Sequence, residues 1–186
     1  RFLTISAAEV AWQPLAWFNN RLQINRLIIP DLALERLPKL KPSAKKGPLL
    51  PSFDIIARDI RIGHARIGAA ITGKPQVARL EGALSARGGE LRVELDASST
   101  ARDMARIRVE AVPDDNRFDA YVRVDAPSGG VIGPLLGTKR PFSARIDGEG
   151  DWQHWRGAAH AEMEKVELID LVLANNDGRF DLNGTL

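Results

Sequence analysis

The stretch 90-ELRVELDA-97 decides the fold, because its side chains alternate without a break between charged and apolar. Leu91, Val93, Leu95 and Ala97 fall on one side of an extended chain, and the charged residues fall on the other. Alternation with a period of two is typical of a β-strand with one apolar face and one solvated face. The stretch therefore predicts such a strand.

The same alternation recurs along most of the chain. It is found in 106–111, 117–126, 142–147, 159–164 and 180–186. Upstream, 53–70 also predicts a strand, with Ile60, Ile62, Ile67 and Ile71 as its apolar positions. Short turn-forming segments separate the strands, namely 87-RGG-89, 113-PDDN-116 and 175-NNDG-178. We therefore predict an antiparallel meander, with around twelve strands in all.

The composition excludes several classes of protein. The 186 residues include 26 Lys and Arg against 24 Asp and Glu, and no cysteine. This nearly balanced charge does not favour nucleic-acid binding. The lack of cysteine excludes disulfide frameworks, thiolate metal sites and cysteine nucleophiles, and it fits either cytoplasm or periplasm. The chain begins with Arg1, without a signal-peptide pattern, so we expect an excised segment.

Two short segments depart from the strand pattern. Residues 13–20 and 128–137 are predicted to form one or two helical turns each, the first with Pro14 at its start. The N-terminal region is predicted as a strand, this short helix, a strand over 21–29 and another over 32–37. We expect 1–38 to hold these elements, 39–51 to be a loop rich in Pro and Lys, and 52–186 to be one continuous meander domain.

Neither helical segment is long enough to cover a sheet that is apolar on one side. The sheet is therefore expected to curl, which leaves a closed barrel, a packed sandwich or an open groove as alternatives. Many of the apolar positions are alanine and aromatic residues are scarce, which favours an interior that is not filled. We predict an all-β fold in which a curled, mainly antiparallel sheet forms an open groove.

No catalytic or metal-binding motif emerges from the chain. His64, His154 and His160 have no carboxylate pair at metal-ligand spacing along the sequence, and 148-GEG-150 lacks the rest of a phosphate-binding loop. We therefore expect no enzyme activity, no metal and no cofactor.

A set of phrases in a fixed order carries a family resemblance. They are 3-LTISAAEVAWQPLA-16, 20-NRLQINRL-27, 34-LERLP-38, 125-DAPSGG-130, 135-LLG-137, 146-IDGEGDW-152 and 155-WRG-157. In these phrases, which together span nearly the whole chain, the sequence resembles the TamB family, the translocation and assembly module proteins of the AsmA-like superfamily of Gram-negative bacteria.

The resemblance implies a periplasmic protein anchored in the inner membrane, with a long taco-shaped β-groove for its body. Two roles are implied: moving phospholipids from the inner to the outer membrane, and assembling outer-membrane proteins with a barrel partner, TamA. The present chain would be the segment next to the anchor, without the anchor helix and the rest of the protein. The TamA contact would lie in a distal region, so no residue here is assigned to it.

The apolar positions alone fit a packed core as well as a lipid lining, and the resemblance favours the lining. The residues predicted to contact phospholipid acyl chains are Leu91, Val93, Leu95, Ile107, Val109, Phe118, Ala120, Val122, Val124, Phe142, Ala144 and Ile146. The rival hypothesis is an assembly scaffold whose sheet edges pair with client strands. Trp12, Trp17 and Phe18 are expected either to cap one end of the groove or to touch a membrane interface.

Overall fold

A computed structural model describes residues 3–36, 53–112, 115, 117–151, 154–176 and 179–185. Its strands are β1 (Leu3–Ile5), β2 (Glu9–Trp12), β3 (Arg21–Leu34), β4 (Asp54–Ile67), β5 (Gln76–Arg87), β6 (Glu90–Ser99), β7 (Met104–Val112), β8 (Arg117–Ala126), β9 (Phe142–Gly150), β10 (His154–Met163), β11 (Val166–Asn176) and β12 (Arg179–Thr185). Its helices are a 3₁₀ helix (Pro14–Asn19), α1 (Ala69–Thr72) and α2 (Ile132–Leu135).

All twelve of these strands belong to one sheet. From β4 to β12, each strand pairs antiparallel with the next strand along the chain. β3 pairs in parallel with β4, and both β1 and β2 pair with the other side of β3. Over the described ranges, β1 and β12 do not pair, so the sheet is open. The prediction of an all-β, mainly antiparallel, curled and open sheet is confirmed.

Tight hairpins connect neighbouring strands of the meander. Between β5 and β6, Gly88 and Gly89 have φ angles of +56° and +79°, as a two-residue turn with both residues in the left-handed region requires. Between β10 and β11, Glu164 and Lys165 adopt the same region without glycine, so no turn signal marks this hairpin in the sequence. The turns predicted at 113–116 and 175–178 lie mostly outside the described residues.

The N-terminal strands differ from the prediction in two ways. The strand expected before the 3₁₀ helix is two strands, β1 and β2, and the two strands expected over 21–37 are the single strand β3. Pro30 does not interrupt β3, because β2 pairs with residues 24–28 and β1 with residues 32–34. Since neither strand lies opposite Pro30, its missing N–H costs no ladder hydrogen bond on that side.

β4 is also shorter than predicted. The strand ends at Ile67, and residues 69–72 form α1, so the prediction of Ile71 as a strand position is wrong. Gly68 keeps an extended backbone, and Gly73 ends the helix with a left-handed φ of 80°. Ile71 instead packs from α1 against the end of the sheet.

Paired irregularities bend β3 and β4 together. β4 has register shifts against β5 between Ala57 and Ile60 and between Ile62 and Ala65. Its apolar residues are therefore spaced by two, three, two, three and two positions, and β3 has the same spacing. An extra residue in a strand inverts the alternation of its side chains between the two faces. The apolar spacing of three at each shift compensates for this inversion, so the apolar side chains stay on one face.

The two predicted helical segments are confirmed as the 3₁₀ helix, which begins at Pro14, and as α2. The Pro/Lys-rich segment 39–51 lies outside the described residues, as do Leu37 and Pro38 at its start. The parallel pairing of β3 with β4 joins the N-terminal strands and the meander into one sheet.

Candidate functional site

The strand register places the twelve predicted lining residues on one face of the sheet, called the apolar face below. In an antiparallel pair, directly opposite residues project to the same side. Val93 lies opposite Val109, Val109 opposite Ala120, and the same relation links the other predicted positions from β6 to β9. It continues through Val122 and Ile146. The structure thus brings Leu91, Val93, Leu95, Ile107, Val109, Phe118, Ala120, Val122, Val124, Phe142, Ala144 and Ile146 together.

Three continuous cross-strand rows, called the open rows below, form the centre of this face. They are Ile24, Ala57, Leu84, Val93, Val109, Ala120, Gly148 and Gly157; then Leu27, Ile60, Gly82, Leu95, Ile107, Val122, Ile146, Ala159 and Leu171; then Ile29, Ile62, Leu80, Ala97, Ala105, Val124, Ala144, Ala161 and Ile169. At about 4.8 Å per strand, the rows extend about 40 Å from β3 to β11.

Within the described residues, all strands belong to one sheet, so no second sheet covers the open rows. Val93, Val109 and Val122 of these rows are half-buried and Ile146 is 38% exposed, whereas Ile29, Ala57 and Ala120 are buried. The rows extend about 40 Å across the sheet, and among them Ile146 is the only large apolar residue in the described part of the chain that is exposed rather than buried or half-buried.

The face is open rather than a tunnel, and cavities lie at its margins. One, of about 520 Å³, lies between α1 and α2 and is lined partly by Ile71 and Pro134. Another, of about 320 Å³, lies beside Phe142 and Lys165. An elongated guest on the open rows would therefore keep one side toward solvent.

One margin of the apolar face is closed by the chain itself. Val131, just before α2, packs with Ala65 and Ile67 of β4, and all three are buried. The partly buried neighbours of this closed rim are Leu32, Leu34, Ile62, Ile71 and Ala78. Four strand spacings separate β4 from β8 in the sheet order, so this contact spans a curled sheet.

A buried carboxylate holds α2 on the closed rim. Asp103, only 3% exposed, accepts hydrogen bonds from the backbone N–H groups of Val131 at 2.8 Å and Ile132 at 3.0 Å. It also accepts a hydrogen bond from the Ser99 hydroxyl. On the same side, the Gln76 side-chain amide donates to the Gly129 carbonyl oxygen at 2.9 Å. Sequence reasoning missed Asp103, because its backbone partners are 28 and 29 residues away.

Trp155 is a further residue of the apolar face that sequence reasoning missed. Gly148 and Gly157 lie opposite each other on β9 and β10, and a Cβ on either one would overlap the Trp155 ring. The ring therefore lies over two residues without side chains, with its centroid 6.2 Å from that of Phe118. Two glycines that face each other beside a tryptophan in a predicted strand pair are the signal that could have found it.

Ion pairs cover the opposite, polar face of the meander. Asp96 contacts Arg106 at 2.8 Å and Arg108 at 2.5 Å, and Arg145 contacts Asp147 at 3.0 Å. Hydrogen bonds from Arg106 and then Arg108 hold the pKa of Asp96 below its ordinary value. These charges keep the polar face in water, which leaves the other face as the apolar surface of the sheet.

The three histidines and the segment 148-GEG-150 lie in three different strands, β4, β9 and β10. Gly148, Glu149 and Gly150 are the last three residues of β9. His64 lies in β4, and His154 lies at the start of β10, close to Asp151. His160, in contrast, is surrounded by carboxylates from two strands, which spacing along the chain does not reveal.

The aromatic residues near the N-terminus are exposed. Trp12, Trp17 and Phe18 are 50%, 59% and 83% exposed, and Trp17 contacts Phe53 in a tilted ring pair. The helices in the described part of the chain are all too short or too polar to cross a membrane.

Comparisons with known proteins give no relative. No family model, no curated protein and no solved structure matches this chain.

Proposed function

We propose that the apolar face binds phospholipid acyl chains, and that the chain is a periplasmic segment of a bridge that carries them from the inner to the outer membrane. The observation that carries the proposal is that the described strands form one open sheet whose apolar rows have no second sheet over them. The resemblance to the TamB family supplies the two membranes. In the same proposal, an anchor outside this segment attaches the protein to the inner membrane.

The chemistry of the open rows suits a hydrocarbon guest. Their side chains are Ala, Val, Leu and Ile with a few glycines, so no polar group selects one head group. Each methylene that moves from water onto such a surface contributes about 0.8 kcal/mol. The open rows are about 40 Å long, which gives an acyl chain room to lie across the strands of the sheet.

The geometry also supports a passive mechanism. Because the open rows are continuous from strand to strand, an acyl chain meets a similar surface at each step along the sheet. The head group stays in water on the uncovered side, so its charge is never buried. Nothing in such a lining sets a direction, so the lipid gradient or another protein has to supply it.

The test is to measure bound phospholipid on the full chain. The chain is incubated with vesicles of phosphatidylethanolamine and phosphatidylglycerol, reisolated and examined by native mass spectrometry. We expect phospholipid on the wild type, and its loss in Val93→Asp while the circular dichroism spectrum shows that the variant stays folded. Ser98→Asp is the matched control, since it puts the same charge on the polar face of β6.

Two outcomes would contradict the proposal. A wild-type chain that binds no phospholipid would favour the assembly-scaffold hypothesis, in which strand edges pair with clients. A Val93→Asp variant that unfolds while Ser98→Asp stays folded would show that Val93 belongs to a packed core.

A further inference from the structure

A cluster of one histidine and three carboxylates lies on the polar face, where β10 pairs with β11. His160 lies directly opposite Asp170, and Glu162 lies directly opposite Glu167. The four side chains come from four separate positions along 160–170, and only the hairpin brings them together. This cluster is on the other side of the sheet from the open rows, so it is independent of lipid binding.

A bulge in β11 builds the cluster. Ala161 lies opposite Ile169, but Glu162 lies opposite Glu167, so Leu168 is an extra residue in the strand. Without this extra residue Glu162 would face Leu168, and Glu167 would project from the apolar face. The bulge therefore moves the Glu167 carboxylate to the side of His160, and bulges often re-aim side chains in this way at sites.

The distances around the imidazole fit a metal ion. The His160 Nδ1 lies 4.0 Å from Glu167 Oε2 and 3.9 Å from Asp170 Oδ1. A ligand atom from each of these residues lies within 4.8 Å of the others. Zinc bonds to nitrogen and oxygen of about 2.0 to 2.2 Å put neighbouring ligands about 3 to 3.5 Å apart. Bringing the three ligand atoms to this spacing requires each side chain to move by less than about 1 Å.

The other ring nitrogen has the partner that a metal-binding histidine usually has. His160 Nε2 lies 3.2 Å from Glu162 Oε1. When Nδ1 binds a metal, Nε2 carries the proton and donates it to this carboxylate. Such a carboxylate–histidine–metal arrangement fixes the tautomer and orients the ring.

The charges of the cluster also favour a cation. Glu162 and Glu167 face each other directly, and like charges in that relation destabilise a strand pair. The neighbouring Arg145 lies opposite His160 on β9, but it is paired with Asp147 at 3.0 Å. The ligand side chains are accessible to an ion, with His160 at 40%, Glu167 at 49% and Asp170 at 63% exposed.

We propose that His160, Glu167 and Asp170 bind a divalent first-row transition-metal ion such as Zn²⁺, and that Glu162 positions the ring. One imidazole with carboxylates suits Zn²⁺ better than Ca²⁺ or Mg²⁺, which take oxygen ligands. The bound ion ties β10 to β11 across the bulge, and water completes its coordination on the exposed side.

The test is a calorimetric titration of the full chain with Zn²⁺ at neutral pH. We expect one site whose affinity falls at least about tenfold in His160→Asn and in Glu167→Gln. Glu162→Gln should weaken binding while keeping the stoichiometry, because Glu162 acts through the ring. His64→Asn is the matched control and should bind as the wild type does.

Four results would overturn the proposal. Three concern Zn²⁺: no binding, an affinity unchanged in His160→Asn, or an equal loss of affinity in His64→Asn. The fourth is Ca²⁺ binding that survives His160→Asn, which would indicate a carboxylate cluster without a transition-metal site. All these positions are on the surface, and circular dichroism of each variant checks its fold. Phospholipid binding by the same variants should not change.

Discussion

The closed rim and the open rows belong to the same apolar face, yet they are packed differently. At the closed rim, Ile67 and Val131 are 5% and 4% exposed, and hydrogen bonds to Asp103 hold α2 in place. In the centre of the open rows, Val93, Val109 and Val122 are only half-buried, and no second sheet covers them in the described part of the chain. Similar apolar residues are thus covered by the chain to different extents in the two regions.

This difference predicts where the structure tolerates substitutions. A side chain contributes to folding in proportion to the apolar area that the chain itself covers. At the closed rim the chain covers this area almost completely, whereas at the centre of the open rows it covers less of it. Substitutions in the two regions should therefore differ in their cost to the free energy of unfolding.

The largest effect is expected from Asp103→Ala. The change leaves the N–H groups of Val131 and Ile132 without their acceptor and releases α2 from the rim. We expect a loss of about 4 kcal/mol in the free energy of unfolding, measured by urea denaturation. Asp103→Asn keeps one acceptor oxygen and should lose about half as much. A loss below about 1 kcal/mol in Asp103→Ala would mean that this carboxylate does not hold the rim.

A matched pair of truncations sharpens the comparison. Ile67→Ala at the closed rim should cost about 3 kcal/mol, because it empties a buried position. Val122→Ala in the open rows should cost about 1 kcal/mol, because Val122 is half-buried. Urea midpoints of the two variants measure both values. Equal costs would show that the open rows are as tightly packed as the rim.

The smallest effect is expected on the polar face. Because Arg106 and Arg108 lower the pKa of Asp96 in the folded state, Asp96 stabilises the fold above its ordinary pKa of 3.8, and this stability is lost as pH falls through the lowered value. The Asp96 side chain is 44% exposed, so Asp96→Asn should cost under about 1 kcal/mol at neutral pH.

The test is the pH dependence of the stability of Asp96→Asn. The difference in urea midpoint between Asp96→Asn and the wild type should shrink as the pH falls below 3.8 and through the lowered pKa of Asp96. Arg106→Gln should show a small loss with the same dependence. A difference that persists unchanged at low pH would show that the ion pair is not its source.

Parts of the N-terminal region show why sequence patterns fail locally. Strict alternation predicts the meander from β6 to β9, because those strands pair without register shifts. It fails in β3 and β4, where bulges change the spacing of apolar residues from two to three. One strand was predicted to end at Ile29, but β3 continues through Pro30, because no strand on the side of β1 and β2 lies opposite that residue, and this is a property of the sheet.

The sequence by itself determined the alternation of charged and apolar side chains, and hence a mainly antiparallel sheet with the twelve predicted positions on one face. Only the tertiary structure decided that Asp103 and Val131 close one rim, that Trp155 lies over Gly148 and Gly157, and that a bulge brings Glu167 to His160. The physical reason is the separation along the chain between the residues that set each feature. Alternation is a property of neighbouring residues, whereas these contacts depend on strand register and on the curl of the sheet.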